Sequence, residues 1–201
     1  MALINTIIPP QNYEKIRDSL FDILVEEISN QFILLSDPEF NARVFKERVV
    51  PFDSSELPCI NILFVRGEYD NIDVIQTRGE YTYFIDVYTK AKTTNAKRGD
   101  TTSLEKLQRI LGIVRTILED PQYRTLTFTA PSLEHTEVKS ISIIQPENNQ
   151  DSNNISLGRL TFIAVITEGV ELLSANIITE AETNVEINDT DKGHVLTKFT
   201  P

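Results

Sequence analysis

The chain has 201 residues, with 19 Lys and Arg against 30 Asp and Glu for a formal charge of −11, one cysteine and no tryptophan. A single cysteine excludes an internal disulfide framework, and the acidic balance argues against a general nucleic-acid binder, which would cluster excess cations. No run of about 18 apolar residues offers a membrane span, Met1–Asn5 lacks the basic and long apolar regions of a secretory signal, and the length suits one domain with an appendage.

Residues 1–11 read as an extended arm stopped by Pro9 and Pro10. From Asn12, a plausible N-cap, apolar Tyr13, Ile16, Leu20, Ile23, Leu24 and Ile28 recur at helical spacing. The spacing predicts an amphipathic helix of about five turns, broken at Ser36-Asp37-Pro38 or earlier, near Asn30. Residues 39–58 hold no sustained period and read as an irregular connection, with room for a short helix over Glu39–Arg48. Cys59–Arg66 and Glu80–Lys90 alternate in the manner of strands and are rich in β-branched and aromatic residues. They predict a hairpin whose long or partly ordered loop runs from Gly67 to Gly79.

Thr89–Thr102 is polar and carries Lys90, Lys92, Lys97 and Arg98. A second helix starts at Ser103, buries Leu104, Leu107, Ile110, Leu111, Val114, Ile117 and Leu118, and ends at Asp120-Pro121. Val138–Gln145 and Ile155–Thr167 form a second strand pair around the polar tip Pro146–Asn154. Helix, two strands, helix, two strands is an α+β order. It predicts a mostly four-stranded antiparallel sheet with both helices on one face.

Residues 168–201 hold seven carboxylates against Lys192 and Lys198, a net −5 and nearly half the charge of the chain. Val170, Leu172, Leu173, Ile177, Ile178, Val185, Ile187, Val195 and Leu196 keep recurring among them. That is too apolar for a solvating tail and too polar for a core, so the segment reads as an extended arm with short strands, ordered against something else. Val170, Leu172, Ile177, Ile178, Val185 and Ile187 are the candidate inter-subunit residues. A solvated, mobile tail is the competing reading.

Reactive chemistry is sparse. Glu134-His135-Thr136-Glu137 groups three ligand types, but strand neighbours alternate faces and no second cluster completes a metal site. His194 lies in the polar arm. Cys59 reads as a buried structural thiol, with neither a base nor a thiolate-stabilising setting indicated. No Gly-rich phosphate loop, nucleophile elbow, C-x-x-C pair or H-E-x-x-H motif is present. Arg98-Gly99-Asp100 matches an adhesion tripeptide, and Asn154 and Asn188 begin glycosylation sequons, yet all three presuppose a secretory route. The expectation is a protein with no catalytic residues, metal or cofactor. In Lys90–Arg98 four cations and no acid occupy nine residues. The stretch is either a solvated connection or a contact for an acidic partner.

The element order resembles the tail-terminator (tail-completion) proteins of tailed bacteriophages. The matching pieces are the helix Ile16–Ile28, the strand Pro58–Phe64, the strand Tyr81–Thr89, the helix Leu104–Glu119 and the strand Gly158–Val165 with its Arg159-x-x-Phe162 alternation. The resemblance covers residues 12–168 as one domain, with 1–11 and 169–201 as arms. The acidic arm and the long segment 37–58 depart from the family's minimum. The resemblance implies a virion protein assembled in the host cytoplasm: a homohexameric ring that caps the tail tube, ends tail polymerisation and offers a surface to the head or neck. It implies no catalysis, cofactor or membrane. Its partners would be the tail tube protein, a neck or head-completion protein and, as a further candidate, the tail sheath, with only passing contact with DNA. Two alternatives stand beside it: another neck or connector ring component, such as a stopper or adaptor, and a cytoplasmic α+β ligand-binding domain or enzyme.

Overall fold

A computed structural model describes residues 7–36, 40–49, 52–53, 55–73, 76–94, 98–126, 128, 133–144, 155–169, 181–183 and 197–199. The chain divides into two units, Pro10–Val170 and Met1–Pro9 with Glu171–Pro201.

In the first unit, α1 spans Asn12–Leu35 and buries Ile16, Leu20, Ile23, Leu24 and Ile28, the stripe read from the spacing. Its cap is Gln11 rather than Asn12: the Gln11 N–H donates to the Glu14 carboxylate at 2.7 Å. The helix continues past Asn30 to Ser36, which takes a left-handed conformation (φ 52°) and donates its N–H to the Phe32 and Ile33 carbonyls.

The sheet has five strands, not four. They are β1 (Arg43–Lys46), β2 (Cys59–Asn71), β3 (Gln76–Lys90), β4 (Leu133–Ile144) and β5 (Ile155–Gly169), in the order β1-β2-β3-β5-β4. β1 replaces the short helix expected over Glu39–Arg48 and pairs parallel to β2, so the sheet is mixed, although its other pairings are antiparallel. The β2–β3 hairpin is longer than expected. Paired residues reach Asn71 and Thr77, well inside the segment assigned to the loop. Tyr81 explains part of this, because its ring lies against Gly67 and Gly79, where a side chain would collide.

The second helix, α2, spans Gly99–Glu119 and begins four residues before Ser103, with the Gly99 N–H bonded to the Thr93 hydroxyl at 3.1 Å. Both helices lie on one face of the sheet, as the element order predicts. Their apolar stripes join Ile60, Ile62, Tyr81, Tyr83, Ile85, Val87, Leu160, Phe162, Ala164 and Ile166 in one core. The Tyr83 hydroxyl anchors α1 by donating to the Tyr13 carbonyl at 2.6 Å. Burial pushes that phenol well above its ordinary range. Among the described residues no helix is long and apolar enough to cross a membrane.

In the second unit, Ala181–Thr183 (β6) pairs antiparallel with Thr197–Phe199 (β7). The candidate arm residues Val170, Leu172, Ile177, Ile178, Val185 and Ile187 lie outside the described residues.

Candidate interaction surface

Alternation along the strands places Asn61, Thr82, Phe84, Asp86, Tyr88, Arg159 and Thr161 on the sheet face that carries no helix. Apolar and polar residues are mixed on this face, with Ile163 and Val165 buried beside the polar positions. Asp86 and Arg159 stand directly opposite one another on β3 and β5. Two parallel bonds of 2.7 and 2.8 Å join the Arg159 guanidinium to the Asp86 carboxylate. The Asp86 side chain is 2% exposed and that of Arg159 31%. The guanidinium also lies 4.0 Å from the centre of the Phe84 ring. A bidentate pair stacked on an aromatic ring holds its shape, and the carboxylate raises the guanidinium's already high pKa. Either residue alone reads as an outward strand position; only the register joins them.

Beside this pair, Arg48, Phe52 and Glu56 gather at the sheet margin. The Asn61 side chain accepts the Arg48 N–H and donates to the Arg48 carbonyl, while Arg48 forms a two-pronged pair with Glu56 at 2.7 and 2.8 Å. The Arg48 guanidinium sits between the Phe45 and Phe52 rings at 4.8 and 4.6 Å, and Phe52 packs on Tyr88 at 4.9 Å. Aperiodic spacing hid this cluster; its only signal was the concentration of Phe45, Arg48, Phe52 and Glu56 around prolines. Cys59 is fully buried below it, and burial pushes its thiol up to about 12.

The basic connection is less uniformly positive in space than in sequence. Lys90 closes β3 and lies near enough to Asp53 to help lower that carboxyl's pKa, after the hydrogen bonds from Ser55. Arg98, 82% exposed, pairs with Asp100 at 3.1 Å, and Lys92 is exposed. Lys97 lies outside the described residues. Gly99 of the adhesion-like tripeptide is buried in the first turn of α2.

On the helix side, Glu27, Gln31, Arg109, Gly112, Ile113, Thr116, Ile117, Asp120 and Tyr123 line a cleft of about 270 Å³. The Tyr123 hydroxyl donates to Glu27 at 2.5 Å, which pushes that phenol up to about 12. The cleft falls just below the usual size of a small-ligand site, roughly 300–1,000 Å³.

The Glu134–Glu137 cluster separates: Glu134 accepts bonds from Arg78 and the Thr167 hydroxyl, which hold its carboxyl below the ordinary range, while His135 approaches Glu137 at 3.5 Å. Among the described residues no group of three or more His, Cys, Asp and Glu is placed to hold a metal ion. No protein-family model matches the chain, and no curated protein matches it either. What this surface offers is Arg, Tyr and Phe on a rigid sheet, residue types over-represented in the energetic centres of protein interfaces.

Proposed function

We propose that the chain is a structural subunit of a tailed-phage particle, a tail terminator that closes into a homohexameric ring on the tail tube. One observation carries the reading: helix, hairpin, helix and hairpin fold with both helices on one face of the sheet, while the other face carries an ordered set of polar and aromatic residues and, among the described residues, no helix. A head-to-tail interface whose rotation closes makes a ring, and a sixfold tube is best capped by a sixfold ring. The tube protein occupies one side, and a neck or head-completion protein the other. The sheath is a further neighbour. Lys90, Lys92, Lys97 and Arg98 meet an acidic partner or DNA in passage, and residues 169–201 act as a clamp between subunits. Closure of the ring is templated by the tube, so free subunits do not close into hexamers by themselves.

Electron micrographs of particles made without this protein test the reading. Overlong tails, unjoined to filled heads, are the expected result. Tails of normal length firmly attached to heads would overturn it. Tails of normal length standing free would favour a neck ring component instead. Replacing Lys92, Lys97 and Arg98 by Glu should lower infectivity while leaving the subunit folded; unchanged infectivity removes the basic connection from the interface.

A further inference from the structure

The outer side of β4 faces no strand among the described residues, so a row of backbone N–H and C=O groups lies open there. The two halves of this edge differ. Leu133–Lys139 contains Glu134, His135, Glu137 and Lys139 together with the onset of both register irregularities of the β4–β5 pair. Charges and bulges of this kind discourage another strand from adding. Ser140–Ile144 has neither: Ser-Ile-Ser-Ile-Ile is uncharged and pairs without interruption against Leu157–Thr161. Ile141 and Ile143 stand on the helix side, 41% and 45% exposed, while Ser140 and Ser142 face the other way, opposite Thr161 and Arg159. One half of the strand is defended against addition; the other is left open.

We propose that this open half accepts a strand from a second copy of the chain, residues Asn184–Asn188 of its acidic arm. The inference rests on the ring reading only in requiring a neighbouring copy. Asn184-Val185-Glu186-Ile187-Asn188 places two β-branched residues on one face and polar groups on the other, the mirror of Ile141-Ser142-Ile143. Antiparallel addition with Glu186 opposite Ser142 sets Val185 against Ile143 and Ile187 against Ile141. The Ser142 hydroxyl then donates to the Glu186 carboxylate. Ile177-Ile178 and Val195-Leu196 are adjacent pairs that would split between faces. Val170 and Leu172 have the spacing but come one and three residues after Gly169, too short a length of chain to reach a second copy.

Charge and reach agree with this choice. After Gly169 the arm has six carboxylates and two lysines. The receiving end of the sheet is the end at which Lys90 pairs with Ile155 and the basic connection to α2 begins. Fourteen residues lie between Gly169 and Asn184, fifteen steps of the chain. Extended, those fifteen steps span about 50 Å, against about 40 Å for the diameter of a domain this size.

Mixing full-length chains carrying Ser142→Cys with full-length chains carrying Glu186→Cys tests the contact, since Cys59 is buried and unreactive. Mild oxidation should give a covalent dimer containing one chain of each kind, and Asp191→Cys in place of Glu186→Cys should not. Ile141→Glu with Ile143→Glu, and separately Val185→Asp with Ile187→Asp, should each weaken self-association about tenfold or more in sedimentation, with circular dichroism unchanged. Equal cross-linking by the control, a link formed only within a chain carrying both cysteines, unaltered association in the substituted chains, or a chain monomeric at every concentration would each overturn the inference. These measurements use no phage particle. Tails of normal length in micrographs would therefore sink the terminator reading while leaving this contact standing.

Discussion

The two faces of the sheet are built from alternate residues of the same strands, yet they are different kinds of surface. Toward the helices, Ile60, Ile62, Tyr83, Ile85, Leu160 and Phe162 are buried in a continuous apolar core. Toward the other side, Asn61, Asp86 and Arg159 interrupt the apolar residues with directed bonds. Apolar burial is non-directional and supplies most of the folding free energy. A paired charge inside a sheet contributes little net stability, but removing one partner is costly. The comparison assigns stability mainly to the helix side and geometric definition mainly to the other side.

Phe162→Ala tests the first half and carries the largest expected effect. Its ring is 1% exposed in the middle of the core, so the truncation should cost about 3–5 kcal/mol in denaturant unfolding. Thr161→Ala, one residue along and on the other face, should stay within about 0.5 kcal/mol. Comparable losses at the two positions would abolish the distinction.

Asp86→Ala tests the second half. It leaves Arg159 with Phe84 but without its carboxylate, and partial exposure lets water replace some of the lost bonding. The expected cost is about 2–3 kcal/mol, near the range for hydrogen bonds to charged groups. Asp86→Leu combined with Arg159→Met should recover most of that stability. If the double variant is as unstable as Asp86→Ala, the pair contributes net stability and the division between faces is too sharp.

What was legible in the sequence follows the same physical line. Long periodic segments announced themselves: the stripe Ile16–Ile28, the stripe Leu107–Leu118 and the alternation Tyr81–Val87 all bury the residues their spacing selects. β1 did not, because four residues with a charge at each end hold no period, and its pairing with β2 is parallel and non-local. The outer β2–β3 hairpin was hidden because Arg66, Glu68, Asp70 and Arg78 are exposed, and its glycines serve a ring that only the fold brings across them. The early start of α2 recruits Gly99-Asp100-Thr101-Thr102, poor interior helix formers that suit a first turn. Of the candidate surface, Asn61, Asp86 and Arg159 could be placed on strands, but the Asp86–Arg159 pair and the Arg48 cluster depend on long-range contacts that no local pattern encodes.

Two glycines sharpen the comparison within the helix side itself. Gly158 lies under α2, where an added Cβ would come within 2.6 Å of one Leu111 methyl and 3.2 Å of a Leu107 methyl. Gly158→Ala should therefore cost about 1–2 kcal/mol, less than a rigid clash because leucine tips can shift. An increase in unfolding midpoint would mean that the helix–sheet spacing is looser than the geometry indicates.

Gly112 is the opposite case and carries the smallest expected effect. It lies in the interior of α2 on the exposed side, and nothing stands within 4 Å of the position its Cβ would take. An interior glycine costs a helix about 1 kcal/mol relative to alanine, largely through backbone entropy in the unfolded chain. Gly112→Ala should therefore stabilise the protein by about 0.5–1 kcal/mol and raise its melting temperature by about 1–4 °C. Because Gly112 also lines the α1–α2 cleft, the methyl group narrows that opening without touching the core. Calorimetry of the two alanine variants side by side separates the explanations. Opposite signs at Gly158 and Gly112 show that space above the backbone decides the outcome, whereas losses at both positions would mean that α2 tolerates no side chain on either side.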